Sequence, residues 1–282
     1  MSRGQEQGES RARARGPDRG RTADRSHAAL YVPALAGLAF LVLPIIGLLA
    51  KTPWRQLPAL LAADESWTAL RLSLECATLA MGVSLLLGVP LAWLLARARL
   101  PARRLVRSLV TVPLVLPPVV AGIALLLVFG RRGLLGGPLD RWFGVTLPFT
   151  TAGVVVAESF VALPYLVVSV ESALRSADPQ LEEAAATCGA NQWQTFRWVT
   201  LPTVVPGVAA GAVLAWARAL GEFGATITFA GNFPGTTQTM PLAVYLELQQ
   251  DPQSAIALSV VLLAVSVALL AALRDRWLVG VR

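Results

Sequence analysis

Ionisable side chains inside long apolar runs are costly, and the few in this chain are informative. Arg71 and Glu75 stand four apart in one such run, and Arg218 and Glu222 four apart in another. Four residues bring two side chains onto one helix face, so each pair can close an ion pair. Two chemistries fit. The pairs can simply hold helices together, or they can line a path for an anion, with Arg218 offering positive charge and Glu222 keeping the anion from being trapped. Glu158 lies near the middle of a third run, where it is expected to be protonated, hydrogen-bonded or turned to a cavity, and no role is assigned to it. Bond-making chemistry has little to draw on. No GxxxxGK[ST] loop is present, since the one lysine, Lys51, follows Ala50. The sole histidine, His27, lies in a polar tail, which excludes a Ser/His/Asp arrangement. Cys76 and Cys188 make neither an expected disulfide nor a zinc site. No catalytic residue, metal or cofactor is expected, and if ATP is used, another subunit must bind it.

The elements that position these residues are membrane spans. Of 282 residues 55% are hydrophobic and 15% charged, and the mean hydropathy is +0.60, the composition of a polytopic membrane protein. Six runs meet the length of roughly 20 apolar residues that a bilayer requires: 30–50, 70–96, 106–129, 150–170, 203–220 and 254–273. The expected fold class is an all-α membrane protein of six transmembrane helices. Residues 1–28 read as a disordered arginine-rich tail, followed by one membrane domain over 29–282. No cleaved signal is expected, because the basic region is long and the following run is full-length. The net charge of +7 is explained by topology rather than by nucleic acid. The seven arginines of the tail, the five from Arg97 to Arg107, Arg175 and Arg197, and Arg274, Arg276 and Arg282 fall on one side, against Lys51, Arg55, Arg131, Arg132 and Arg141 on the other. Basic loops stay inside, so both termini are expected in the cytoplasm.

The same count puts residues 178–202 in the cytoplasm. Asp178 can cap a helix with Pro179 in its first turn. Leu181, Ala184, Ala185 and Cys188 share one small apolar face, and Gly189 can end the helix in a left-handed turn. Asn191 and Gln194 have capping-box spacing for a second helix, which Pro202 is expected to stop or turn. A bent helix pair between two spans suits a partner's grip. Proline also interrupts the spans themselves, at Pro113, Pro117 and Pro118 in the third, Pro164 in the fourth and Pro206 in the fifth. Gly207 and Gly211 would let the fifth span approach another helix closely, with a dimer partner as one candidate.

Glu183, Ala184 and Ala185, three residues to Gly189, nine more to Val199, then Leu201 and Pro202, resemble the EAA signature of bacterial ABC importer permeases, with valine in place of isoleucine. The segments Thr111–Gly130, Val161–Val168 and Ala217–Tyr245, which include Pro117, Arg218, Glu222 and Thr226, are similar to the molybdate branch of the oxyanion permeases. The resemblance covers residues from about 30 to the C-terminus. It implies that 178–202 is a coupling segment docking on an ABC ATPase, with Glu183 a polar or capping contact, Ala184 and Ala185 a close-packing surface and Gly189 the bend. It also implies two ATPase subunits, an extracytoplasmic oxyanion-binding protein, a second copy of the chain and a bacterial plasma membrane. Arg71, Glu75, Pro117, Arg218, Glu222 and Thr226 become candidates for the translocation path. Tungstate and sulfate remain alternatives. A helix-turn-helix, a partnerless connector, a secondary transporter and a membrane enzyme fit less well: one basic residue lies beyond the bend, Glu158 is the one midplane carboxylate, and no nucleophile and base converge.

Overall fold

A computed structural model describes residues 19–98 and 101–278. Most of the arginine-rich tail lies outside these residues, as do Arg99 and Arg282. The chain divides into two units, Met1–Lys51 and Thr52–Arg282. The first holds α1 (Arg19–Lys51), whose stretch Tyr31–Lys51 is long and apolar enough to cross a bilayer.

The second unit is built from α2 (Leu57–Leu61), α3 (Asp64–Arg97), α4 (Arg103–Val115), α5 (Pro118–Phe129), α6 (Gly136–Phe143), α7 (Thr151–Ser176), α8 (Pro179–Thr187), α9 (Gln192–Thr195), α10 (Leu201–Leu220), α11 (Gly224–Phe229), α12 (Met240–Gln250) and α13 (Pro252–Leu278). Among the described residues five helices are long and apolar enough to span a membrane, or six spans if α4 and α5 count as one. That third expected span is broken: Pro117 and Pro118 remove consecutive N–H donors, and the two halves meet at 118°.

Helix α7 is the centre of the second unit. Thr150 caps it by accepting the Gly153 N–H at 3.1 Å, and Arg175 in its last turn complements the helix dipole. It buries Ala162, Leu166, Val170 and Leu174 against α3 and α10, Ala157 and Val161 against α5 and α11, and Val154 beside Leu72 and Cys76 of α3. Lipid tails are as apolar as these side chains, so close fit rather than water exclusion must hold the helices together. Alanine dominates the fit: Ala77, Ala80 and Ala92 of α3 and Ala215 and Ala219 of α10 are all fully buried. Three polar ties add direction. The Trp216 Nε1–H donates to Thr78 at 3.2 Å, the Met240 N–H to Ser73 at 2.6 Å, and buried Glu171 on α7 accepts from Arg107 of α4 and from Arg175.

Gly207 and Gly211 do allow a close approach, but the neighbour is α7 of the same chain. A Cβ on Gly207 would collide with that of Ala173, one on Gly211 would lie 3.0 Å from Ser169 Cβ, and the Ser169 hydroxyl donates to the Gly207 carbonyl at 3.0 Å. That face is therefore used within the chain and is not left for a dimer partner. Gly207→Ala is expected to cost about 1–3 kcal/mol through overpacking. Adding Ala173→Gly should recover most of it, as read from the melting temperature of the detergent-solubilised protein.

Candidate functional site

Two places bring the chemically distinctive residues together. The first is the 178–202 segment. Asp178 caps α8 by accepting the Gln180 N–H at 2.9 Å, with Pro179 at the first helical position. The helix ends as a Schellman motif: the Ala190 N–H donates to Ala185 O, the Gly189 N–H donates to Ala186 O, and Gly189 takes φ +85°. Asn191 and Gln194 close both bonds of a capping box at the start of α9. Of the two outcomes expected at Pro202, a stop or a turn, the stop does not occur. Helix runs from Gln192 to Leu220, through a π-helical turn at Phe196–Thr200 where the Leu201 N–H reaches back to Phe196 O. The widened turn lets the chain carry a proline at the start of α10 without breaking.

The signature residues are largely presented to the outside. Glu183, Ala184 and Gly189 are exposed, while Ala185 and Leu201 are half-buried. Leu181, Trp193 and Trp198 are exposed too, and the Arg197 guanidinium lies 5.6 Å from the Trp198 ring. The inward carboxylate is Glu182, which the sequence reading passed over. It accepts from Arg97 Nη2 at 2.8 Å and from Thr200 Oγ1 at 3.0 Å, joining α8 to the ends of two long helices. A basic residue at the end of one run, 85 positions before the acid, was the available signal, but spacing that wide names no partner.

The second place is where α10 gives way to α11, beside the broken third span. Arg218 and Glu222 pair at 2.6 Å, but across the end of α10 rather than within it. Glu222 is 1% exposed, and its other oxygen accepts the Ala225 N–H at 2.7 Å in the first turn of α11. Thr226, one residue on, is fully buried with no partner for its hydroxyl among the described residues. The first turns of α5 and α11 press together: a Cβ on Gly224 would lie 2.6 Å from Pro118 Cβ, and one on Gly122 would lie 2.5 Å from Thr228 Cβ. Pro117 stands immediately before α5 at this contact. Pro117, Arg218, Glu222 and Thr226 thus gather in one region. Arg71 and Glu75 pair with each other at 2.6 Å, two turns into α3, with side chains 71% and 51% exposed. Glu158 of α7 is buried, one of its carboxylate oxygens has no hydrogen-bond partner among the described residues, and it lies within electrostatic reach of Glu222.

Apolar spanning helices, an ion pair at a helix break with its carboxylate buried, and an exposed, doubly capped helix pair define a polytopic membrane protein. The family model described as "binding-protein-dependent transport system inner membrane component" matches residues 88–280, and the chain belongs to that family. It is 48% identical over 237 residues to the molybdenum transport system permease protein ModB of Mycobacterium tuberculosis, covering 84% of this chain and 89% of that one. It is 36% identical over 234 residues to the sulfate transport system permease protein CysT of Escherichia coli, covering 82% and 84%. Among solved structures, a bacterial ABC transporter involved in the import of the acidic polysaccharide alginate superposes with a TM-score of 0.67 at 21% identity, covering 90% of this chain and 96% of that one. The chain is a permease subunit of the inner membrane, a transport component like those relatives.

Proposed function

We propose that the chain is the membrane-spanning half of an ATP-driven importer that carries molybdate into the cytoplasm by alternating access. The higher identity to the molybdenum permease than to the sulfate permease supports the substrate. Both termini face the cytoplasm by the distribution of basic residues. Two copies of the chain form the pore, an extracytoplasmic protein delivers the oxyanion, and two ABC ATPase subunits dock on the two 178–202 segments. The observation that carries this reading is the exposed helix pair itself. Its signature residues Glu183, Ala184, Ala185, Gly189, Leu201 and Pro202 fall on a capped helix, a left-handed bend and the start of a spanning helix. Closing the ATPase pair on ATP draws the two segments together and turns the path outward.

The path runs past the α10–α11 break. Arg218 is the basic group there with partial access, its side chain 27% exposed, while Glu222 is occupied on both oxygens. The exposed Arg71–Glu75 pair on a spanning helix supports a polar neighbour at that face, either the second copy or the path, since a charged pair turned to lipid is costly. The test is uptake into vesicles by the complex reconstituted with its ATPase and binding protein, with molybdate, tungstate and sulfate in competition. Molybdate is expected to be taken up with both competitors present. Preferential uptake of sulfate would remove the substrate assignment, and failure of the ATPase to co-purify would remove the docking assignment.

A further inference from the structure

No side chain of α8 is buried. Packing therefore gives this helix little grip on the spans that it has to move, and the grip must come from specific bonds. Glu182, in the first half of α8, supplies them. A single carboxylate oxygen accepts from Arg97 in the last turn of α3 at 2.8 Å and from Thr200, the residue before α10, at 3.0 Å. We propose that Glu182 is a positioning residue that makes α8 move as one body with the ends of α3 and α10, so that displacement of the helix pair reaches two spans at once. The inference rests on the docking role of 178–202.

Three features converge on this joint. Among the described residues Arg97 Nε is buried without a partner, and the hydrogen bond its guanidinium makes is the one to Glu182. A bond between opposite charges is shorter and stronger than a neutral one and holds its direction under load. Thr200 closes the π-helical turn, where the backbone is already wound more loosely than in the helix on either side. A hydroxyl fixed there couples α8 to the twist of α10 rather than merely to its position. Finally, Arg97, Glu182 and Thr200 line a cavity of about 500 Å³ together with Trp93, Ala186 and Phe196. Adjoining space gives α8 room to shift, so once the joint is cut nothing packed behind it takes over the load.

The neighbouring acid, Glu183, is exposed at the rim of the same cavity. Of the two carboxylates, Glu182 is the one bonded to the spans, and Glu183 is left accessible to the partner.

The experiment uses the full complex, permease with ATPase and binding protein, reconstituted in vesicles, and reads molybdate uptake per ATP hydrolysed. Glu182→Gln and Arg97→Gln are each expected to lower that ratio about tenfold, within the range usual for coupling between sites, while the ATPase still co-purifies. The exchanged pair Arg97→Glu with Glu182→Arg should recover at least a third of it, which a merely structural loss would not. An unchanged ratio in Glu182→Gln, or loss of the ATPase from that complex, overturns the proposal. If Glu182→Gln does not insert, Thr200→Val takes its place, since it removes one bond and no charge, and normal coupling in that variant overturns the proposal equally. Ala184→Trp, which puts bulk on the exposed face of α8, separates the two levels. If Ala184→Trp keeps the ATPase and full uptake, the docking role itself fails. If it loses them while Glu182→Gln couples normally, only the joint fails.

Discussion

Glu222→Ala is expected to destabilise the protein by about 3–5 kcal/mol, because it strands a partly buried guanidinium and a backbone donor in one step. Glu222 is enclosed, with one oxygen on Arg218 and the other on the Ala225 N–H. Its removal leaves the first turn of α11 without its acceptor, and that turn packs on Pro118 at the start of α5. Glu222→Gln keeps an acceptor for Ala225 but loses the charge, so roughly half of the loss should remain. Pairing Glu222→Gln with Arg218→Met should recover part of it, since the lone cation is then gone. The measurement is the melting temperature of the purified permease, where the alanine variant is expected to fall by about 6–12 °C. Arg218→Ala then decides what the arginine is for. Lost molybdate uptake at an unchanged melting temperature assigns it to the path, and a parallel fall in both assigns it to the joint between α10 and α11.

Gly189→Val is expected to leave a folded, inserted protein that no longer couples ATP hydrolysis to uptake. Gly189 sits at φ +85° with open space where a side chain would go. Nothing would clash, so the whole cost lies in the backbone: about 1–2 kcal/mol for a left-handed residue with a Cβ, and more for a β-branched one. The chain can relieve that strain by abandoning the Schellman ending, which re-aims α8 relative to α9. Uptake should fall about tenfold or more, with Gly189→Ala intermediate and Gly189→Asn nearly normal, because asparagine visits this region readily. Wild-type uptake by the valine variant would show that the bend has no part in coupling.

Local structure was legible in the sequence wherever the determinants were local. Asp178 with Pro179, Gly189, and Asn191 with Gln194 each carry their geometry in their own type and spacing, and the structure forms each of them. The break in the third span was legible in Pro117 and Pro118 for the same reason, whereas Pro113, Pro164 and Pro206, read the same way, lie inside the continuous helices α4, α7 and α10. Pro202 misled because its effect depends on the preceding turn. A proline ends an α-helix that has no slack, yet the π-helical turn at Phe196–Thr200 supplies slack, and no residue type announces such a turn. The partner of Gly207 and Gly211 was illegible too, since small residues say that something comes close without saying what.

What the sequence alone determined, then, is the class and the punctuation: how much apolar chain there is, where it is cut, and which short segment is polar and capped. These follow from solvation and from backbone chemistry acting over a few residues. Tertiary structure decided the pairings. It turned the Gly207–Gly211 face onto α7, spent both oxygens of Glu222 on a helix break, and gave the inward bond of α8 to Glu182 rather than to its signature neighbour Glu183. Those outcomes join residues up to 85 positions apart, and only the packing of α3, α7 and α10 brings such residues within a hydrogen bond of each other.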